Sequence, residues 1–146
     1  MTTAPPQTFS SLGLRRELAD AVAALGYEEP TPVQRETIPL LLEGRDVLGQ
    51  AGTGTGKTAA FALPMLQRIG PGRPSPRQPR GLVLVPTREL AMQVAEAVHK
   101  YGKGEGMHVL PLYGGAPMHQ QISSLTRGAH VVAATPGRAL DHMRRG

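Results

Sequence analysis

The sequence of 146 residues contains no cysteine and no tryptophan, and only 3% of its residues are aromatic. Because cysteine is absent, disulfide bonds, thiolate metal ligands and cysteine nucleophiles are excluded from this sequence. Its five histidines are scattered without the spacing of metal ligands. Apolar residues still make up 40% of the sequence, so leucine, valine, alanine and isoleucine can fill the core of a single domain.

Long apolar runs are also missing. No stretch approaches the roughly 20 residues that a membrane-spanning helix needs, and the N-terminus lacks the basic-then-apolar pattern of a signal peptide. These absences predict a soluble, cytoplasmic protein. Lysine and arginine outnumber acidic residues by 16 to 11, which gives a formal net charge of +5 and a pI near 10.2. A basic protein suits an anionic partner such as nucleic acid, although many basic proteins bind none.

Residues 51–58 are the most informative segment. They read Ala-Gly-Thr-Gly-Thr-Gly-Lys-Thr and lie between an apolar run at 46–49 and a helix-like stretch at 58–63. Glycines let successive backbone N–H groups surround an anion, and a following helix presents its positive N-terminus to the same anion. This context predicts a nucleotide phosphate-binding loop, or P-loop, formed by Ala51, Gly52, Thr53, Gly54, Thr55, Gly56, Lys57 and Thr58.

Two residues of this loop have predicted chemical roles. Lys57 would reach the outer phosphates, and the Thr58 hydroxyl would bind Mg²⁺. Ala51 departs from the usual pattern, which has glycine at the first position. The alternative interpretation is a turn rich in glycine and threonine with a solvated lysine.

The remaining pattern alternates helices and strands. Helices are predicted over 14–25, with Ser10 and Ser11 as candidate caps, and over 33–43, 89–100 and 118–126. Strands are predicted over 46–50, 81–85, 108–113 and 130–134, and their continuous apolar character is typical of strands buried on both faces of a parallel sheet. Residues 70–80 hold four prolines and three arginines, which predicts a mobile basic loop rather than a domain boundary. The fold class is therefore α/β, doubly wound.

Further segments carry a resemblance to a known family. Residues 26–34 read Gly-Tyr-Glu-Glu-Pro-Thr-Pro-Val-Gln with Phe9 upstream, residues 86–90 read Pro-Thr-Arg-Glu-Leu, 114–115 is Gly-Gly, and 135–138 reads Thr-Pro-Gly-Arg. In this order they resemble the Q motif, motif Ia, the GG pair and motif Ib of DEAD-box RNA helicases. The resemblance implies a RecA-like P-loop domain with a mainly parallel β-sheet flanked by helices, incomplete at the C-terminus. It also implies a disordered leader at 1–8, a partial helicase ATP-binding domain at 9–146 and a Q-motif region at 9–34.

The Q motif implies adenine recognition by Gln34. A carboxamide pairs at once with the N7 acceptor and the N6 amine donor of adenine. Phe9 or Tyr27 could stack on the ring, and Thr31 belongs to the same nucleotide-binding motif. The alternative is that Gln34 caps a helical turn and that both aromatic residues belong to the core.

The loops after three predicted strands form a candidate RNA site. Ligands of open α/β sheets bind beyond the carboxyl ends of the strands, so we expect these loops to share one face. Backbone N–H groups, threonine hydroxyls and arginine suit a sugar-phosphate backbone without reading bases. The alternative is a set of turn formers with local ion pairs, Arg88 with Glu89 among them. The candidate residues are Pro86, Thr87, Arg88, Gly114, Gly115, Thr135, Pro136, Gly137 and Arg138.

The carboxylates that ATP hydrolysis needs are not found in this sequence. The family places them in an Asp-Glu-Ala-Asp segment downstream of motif Ib, whereas the aspartates here are Asp20, Asp46 and Asp141. The Ser-Ala-Thr motif and a second RecA-like domain are absent as well. We therefore expect the N-terminal part of a helicase core. In the family's sheet, the missing strands lie between the P-loop strand and the other strands present here, so we also expect a gap in the sheet.

The resemblance implies an ATP-dependent RNA helicase, an ATPase with ATP and Mg²⁺ as cofactors and with RNA bound through its backbone. Lys57 and Thr58 would be its catalytic residues here, and the 146 residues alone are expected to be inactive. The alternatives are a nucleotide- or RNA-binding module without turnover, and a DNA helicase of a related superfamily, which the Q motif disfavours.

Overall fold

The computed structural model describes residues 7–52, 54 and 56–146. The chain divides into two compact units, Met1–Gly70 and Pro71–Gly146. The boundary falls at the start of the basic loop that the sequence predicted to lie within one domain. No helix in the described residues is long and apolar enough to span a bilayer.

The first unit is helical in its described residues. After a short 3-10 helix at Ser10–Leu12 come α1 (Arg16–Ala24), α2 (Pro32–Leu42) and α3 (Lys57–Ile69). α2 packs against α3, and each of the three helices buries apolar residues at helical spacing. The larger buried side chains of this unit are Phe9, Leu12, Leu14, Leu18, Val22, Ile38, Leu63 and Leu66.

The first predicted helix begins later than expected. Ser10 and Ser11 do not cap it: the Ser11 hydroxyl donates to the Thr8 carbonyl at 2.7 Å and accepts from the Thr8 N–H at 2.8 Å. Gly13 then adopts the left-handed conformation at φ 101°, which a continuing helix cannot contain. α1 therefore begins at Arg16, without a side-chain cap. Of the predicted leader at 1–8, residues 1–6 lie outside the described residues.

The predicted strand at 46–50 is wrong. The segment has no strand structure, and the Leu48 side chain is 90% exposed. A strand needs a neighbour to pair its N–H and C=O groups, and the sheet formed by the described residues contains only three strands from the second unit. An apolar run identifies a segment able to join a sheet, but not whether a partner strand is present.

The second unit contains the parallel sheet. Its elements are β1 (Gly81–Leu84), α4 (Arg88–Gly102), a short 3-10 helix (Lys103–Glu105), β2 (Val109–Leu112), α5 (Met118–Arg127), β3 (Val131–Ala134) and α6 (Pro136–Arg144). The strand order is β1-β3-β2, and both pairs are parallel. The α/β prediction is therefore confirmed here, although α6 replaces what the sequence indicated as a loop.

Burial differs among the three strands. All four residues of β3 are buried, as expected for a central strand covered on both faces. In β1, by contrast, the Leu82 and Leu84 side chains are 57% and 55% exposed. The prediction that every strand is buried on both faces is thus correct only for β3. Among the described residues, β1 and β2 have one neighbouring strand each, so fewer side chains pack around theirs.

The basic loop at 70–80, expected to be mobile, is hydrogen-bonded to the second unit. The Arg77 N–H donates to the Leu125 carbonyl at 2.8 Å, and the Arg80 N–H donates to the His130 carbonyl at 3.0 Å. The buried ring of His130 adds a third link, because its Nε2 lies 2.7 Å from the Gly72 carbonyl oxygen while its Nδ1 accepts from the His108 N–H at 2.9 Å. One ring therefore connects the loop to the amino end of β2.

Replacing His130 with alanine should lower the free energy of unfolding by about 1–3 kcal/mol, because two hydrogen bonds at a buried ring are lost. His108→Ala is the matched control. The two rings stack with centroids 5.9 Å apart, so either variant loses the stack, but only His130→Ala loses both hydrogen bonds. Urea unfolding of the two variants measures the difference, and equal destabilisation would contradict the assigned role.

Candidate nucleotide and RNA-binding sites

The P-loop sequence leads directly into the N-terminus of α3. Gly56 is the N-cap residue at φ 84°, with no side-chain cap, and Gly54 is also left-handed at φ 81°. Lys57 and Thr58 occupy the first turn, where the Lys57 side chain is exposed. Uncapped N–H groups at a helix N-terminus, beside left-handed glycines, form the arrangement that binds phosphate. Thr53 and Thr55 lie outside the described residues.

Gln34 links the Q-motif segment to this loop. Thr31 and Gln34 form a capping box at the start of α2: the Gln34 N–H donates to the Thr31 hydroxyl at 3.4 Å, and the Thr31 N–H donates to Gln34 Oε1 at 2.9 Å. Gln34 Nε2 donates to the Gly56 carbonyl at 3.1 Å. A Cβ on Gly56 would overlap Gln34 Nε2, so this approach requires glycine in the loop. The helix-capping alternative is thus observed, together with a contact to the P-loop.

The two aromatic residues of the Q-motif region differ in burial. Phe9 is 4% exposed and belongs to the core, as the alternative predicted, whereas Tyr27 is 37% exposed. Their ring centroids lie 6.4 Å apart at an interplanar angle of 36°. Of the two rings, only that of Tyr27 is accessible, and it contacts the buried ring of Phe9.

The predicted RNA-binding residues follow the carboxyl ends of the three strands. Thr87 lies between β1 and α4, Gly114 and Gly115 lie between β2 and α5, and Thr135 lies between β3 and α6. Since the strands are parallel, these three junctions lie at one edge of the sheet. The Thr87 hydroxyl caps α4 by accepting from the Leu90 N–H at 3.2 Å, whereas Thr135 makes no side-chain cap to α6.

Two arginines lie beside the glycine pair. Arg138 Nη2 is 4.0 Å from the position that a Cβ on Gly114 would occupy, and Arg88 Nη1 is 3.6 Å from the corresponding position on Gly115. Residues from all three predicted RNA motifs therefore meet around this pair. The expected ion pair between Arg88 and Glu89 is present at 3.8 Å, with both side chains more than half exposed, so it adds little stability.

Comparison with known proteins identifies the family. The family model described as DEAD/DEAH box helicase matches residues 31–146. The chain belongs to this family. Curated relatives include the DEAD-box ATP-dependent RNA helicase CshA of Bacillus cereus, 49% identical over 94% of this chain, and the ATP-dependent RNA helicase DeaD of Klebsiella pneumoniae, 53% identical over 95%. The chain spans 26% and 21% of these relatives, about a quarter of their length.

Solved structures of RNA helicases are also similar to this chain. A hypothetical ATP-dependent RNA helicase from Sulfolobus tokodaii superposes with a TM-score of 0.80 at 38% identity, covering 91% of this chain and 37% of the other. The RNA helicase Prp28 from Chaetomium thermophilum, bound to ADP, superposes with a TM-score of 0.86 at 41% identity, covering 99% of this chain and 36% of the other. The RecA-like fold class predicted from the sequence is thereby confirmed.

The DEAD-box motifs did not indicate a buried glutamine and a half-buried histidine near motif Ib. Gln121 of α5 is 6% exposed and contacts His142, whose Nε2 lies 2.7 Å from Gln121 Oε1. The pKa of His142 lies below its usual 6.5, chiefly because of burial and then because of the nearby Arg138 and Arg145 charges, so the ring is neutral at neutral pH. The sequence offered one signal, a polar residue on the apolar side of a helical pattern.

Arg138 of this DEAD-box chain is directed inward. Its side chain is only 14% exposed, and Nε lies 3.9 Å from Asp141. Nη1 lies 3.3 Å from the Ala116 carbonyl and 3.4 Å from Gln121 Oε1. The local ion pair weighed from the sequence is therefore present, and the Nη2 edge beside Gly114 is the part of the guanidinium that faces the glycine pair.

Gly115→Ala should destabilise the protein by about 1–2 kcal/mol, because Gly115 has φ 92° and a left-handed conformation is costly for a residue with a Cβ. Gly114→Ala is the matched control, since Gly114 does not have a positive φ and its new Cβ would meet only Arg138 Nη2 at 4.0 Å. Thermal unfolding of both variants tests the expectation, which fails if Gly114→Ala costs as much as Gly115→Ala.

Proposed function

We propose that the complete protein is an ATP-dependent RNA helicase in which this chain binds ATP and the RNA backbone. The observation that carries the proposal is the glycine loop at the start of α3, to which the Q-motif glutamine is hydrogen-bonded. The relatives named as ATP-dependent RNA helicases support it. RNA as substrate also fits a cytoplasmic location, which we propose here.

The phosphates of ATP would bind at the N-terminus of α3. Left-handed Gly54 and Gly56 and the uncapped first turn supply N–H groups, and the exposed Lys57 supplies positive charge. These residues fit a triphosphate. Thr58 would hold Mg²⁺ together with the phosphates, and the bound ion neutralises charge that develops during phosphoryl transfer. The related Prp28 structure contains ADP, which supports nucleotide binding by this chain.

Adenine would be recognised by Gln34, with Tyr27 stacking on the ring and Thr31 completing the Q motif. Both ends of the Gln34 carboxamide are already paired, with the Thr31 N–H and the Gly56 carbonyl. Adenine presents a matching donor and acceptor in N6 and N7, so it can replace these partners with hydrogen bonds of the same kind. We therefore propose that Gln34 chiefly provides selectivity for adenine.

RNA would bind at the edge formed by the three strand–helix junctions. Pro86, Thr87, Gly114, Gly115 and Gly137 are all exposed there. The first turns of α5 and α6 have no side-chain cap, so their N–H groups can donate to phosphate oxygens. Arg88 and the Nη2 edge of Arg138 add positive charge beside the glycine pair. Thr135 and Pro136, at the start of α6, complete the set. Contacts of this kind hold the backbone without reading the bases.

The nucleotide preference can be tested with paired variants of Gln34. The complete protein should bind ATP and ADP more tightly than GTP. Gln34→Glu keeps a side-chain oxygen for the capping box with Thr31 but removes the amide donor, so it should reduce the preference for adenine. Because the position is buried and faces the Gly56 carbonyl, the added charge should also lower fold stability. Gln34→Ala should lose both the adenine preference and the capping-box hydrogen bond to the Thr31 N–H. Lys57→Ala should instead weaken binding of ATP and GTP alike.

Fluorescent nucleotide titrations, with thermal unfolding of each variant, provide the measurement. Equal affinity of the unmodified protein for GTP and ATP would rule out adenine recognition by the Q motif. If Gln34→Ala loses affinity only in proportion to its loss of stability and keeps its preference for adenine, then Gln34 acts in helix capping alone.

Turnover requires carboxylates beyond the P-loop. The 146 residues contain no Asp-Glu-Ala-Asp segment to hold Mg²⁺ and orient water, and electrostatic stabilisation supplies most of the catalysis in phosphoryl transfer. We therefore expect no RNA-stimulated ATPase activity and no unwinding from residues 1–146 alone, and both activities from the complete protein. Phosphate release is the measurement, with Lys57→Ala as the blank. RNA-dependent hydrolysis by residues 1–146 would contradict the prediction, and a complete protein without turnover would favour a binding module.

A further inference from the structure

Gln121 is a buried polar residue with partners in two of the RNA-facing motifs. It lies in α5 and is 6% exposed, whereas the neighbouring Gln120 is exposed. Gln121 Nε2 donates to the Tyr113 carbonyl at 3.0 Å, and its Oε1 accepts from Arg138 Nη1 at 3.4 Å and from His142 Nε2 at 2.7 Å. Burial of a carboxamide costs little free energy when its donor and acceptor atoms are hydrogen-bonded in this way.

These partners belong to separate segments of the chain. Tyr113 immediately precedes Gly114, and Arg138 lies in the first turn of α6. We propose that Gln121 is a positioning residue, which holds Arg138 and the Gly114–Gly115 turn in one arrangement for contact with an RNA phosphate. The proposal rests on the RNA binding proposed above and adds a residue outside the recognised motifs.

The geometry of arginine makes this positioning specific. The guanidinium is planar and rigid, so holding one of its nitrogens through two partners restricts the directions of the other two. Nη1 is held by Gln121 and by the Ala116 carbonyl at 3.3 Å, and Nε lies 3.9 Å from Asp141. Nη2 is thereby directed to the side of Gly114.

The side chains around Arg138 contribute little negative charge that would offset its own positive charge. Gln121 is uncharged, and the lowered pKa of His142 leaves that ring neutral at neutral pH. Asp141 is half exposed and at the distance limit of an ion pair, so water screens it. The positive charge of Arg138 remains effective toward an anion beside the glycine pair. Because Gln121 has no charge of its own, it can change the salt dependence of RNA binding only by positioning a charged side chain, and Arg138 is the charged residue that it contacts.

The test compares Gln121→Met with Gln120→Met in the complete protein. Methionine is similar in length to glutamine but cannot make the three hydrogen bonds. We expect Gln121→Met to weaken binding of a fluorescent single-stranded RNA by about three- to ten-fold, the range of one or two net hydrogen bonds. The slope of log affinity against log salt should fall by up to about 0.7, the value for one single-strand phosphate contact. Gln120→Met should change neither quantity, and ATP affinity should be unchanged in both variants.

A double-mutant cycle with Arg138→Ala separates positioning from general stability. If Gln121 acts through Arg138, the double variant should bind RNA about as weakly as Arg138→Ala alone. Thermal unfolding checks that each variant is folded at the assay temperature. If Gln121→Met is not, Gln121→Asn gives the same comparison, since it keeps a carboxamide that is one methylene too short to reach all three partners.

Two results would overturn the inference. The first is that Gln121→Met, or Gln121→Asn, binds RNA with the same affinity and the same salt slope as the unmodified protein. The other is additive losses in the cycle, which would mean that Gln121 and Arg138 act independently. Failure of the unmodified protein to bind RNA is a different result, which would refute the proposed function itself.

Discussion

The parallel pairing of β3 with β1 and β2 is the constraint on which the second unit depends. Val131 to Ala134 are all buried, and each is in register with a residue on either side. Because the three strands run in the same direction, every strand–helix junction that follows them lies at the same edge. Arg88 and Arg138 can therefore lie beside Gly115 and Gly114 although β3 separates β1 from β2. The proposed RNA site is a consequence of strand order more than of any one side chain.

Two buried glutamines have similar structural roles, one in each unit. Gln34 is 2% exposed and Gln121 is 6% exposed, and each carboxamide connects its own helix to a glycine-containing loop. A carboxamide can donate and accept at once, so one buried side chain can join two segments without introducing a charge. A buried lysine or glutamate would need a compensating charge at each place. In each unit the loop that would meet an anion is supported by a neutral group.

The sequence predicted the elements that depend on local pattern. Helices and strands of the second unit were found within a few residues of their bounds, because apolar spacing and flanking glycines act locally. The segment at 46–50 was wrong because a strand depends on a neighbour outside the local pattern. α6 was missed because its first turn is the Thr-Pro-Gly-Arg segment, whose proline and glycine also favour turns.

The candidate site could be predicted only in part. Motif order predicted that the glycine pair and Arg138 follow strand ends at one edge of the sheet, as they do. It could not reveal that Arg138 points inward, since this depends on the Ala116 carbonyl and on Gln121. Gln121 lies outside the motifs, and its burial follows from the packing of α5. Polar networks of this kind depend on three-dimensional neighbours and have no sequence period.

The hydrogen bonds of Gln34 also affect how a nucleotide could be selected. With adenine, the carboxamide would exchange its protein partners for equivalent partners on the base, so the side chain itself keeps a donor and an acceptor contact. Guanine presents the O6 acceptor where adenine has its N6 donor. The carboxamide would then keep an unpaired oxygen, at a cost of about 1–3 kcal/mol. Selection between the bases would arise mainly from this penalty, and the phosphates at the start of α3 would supply most of the affinity.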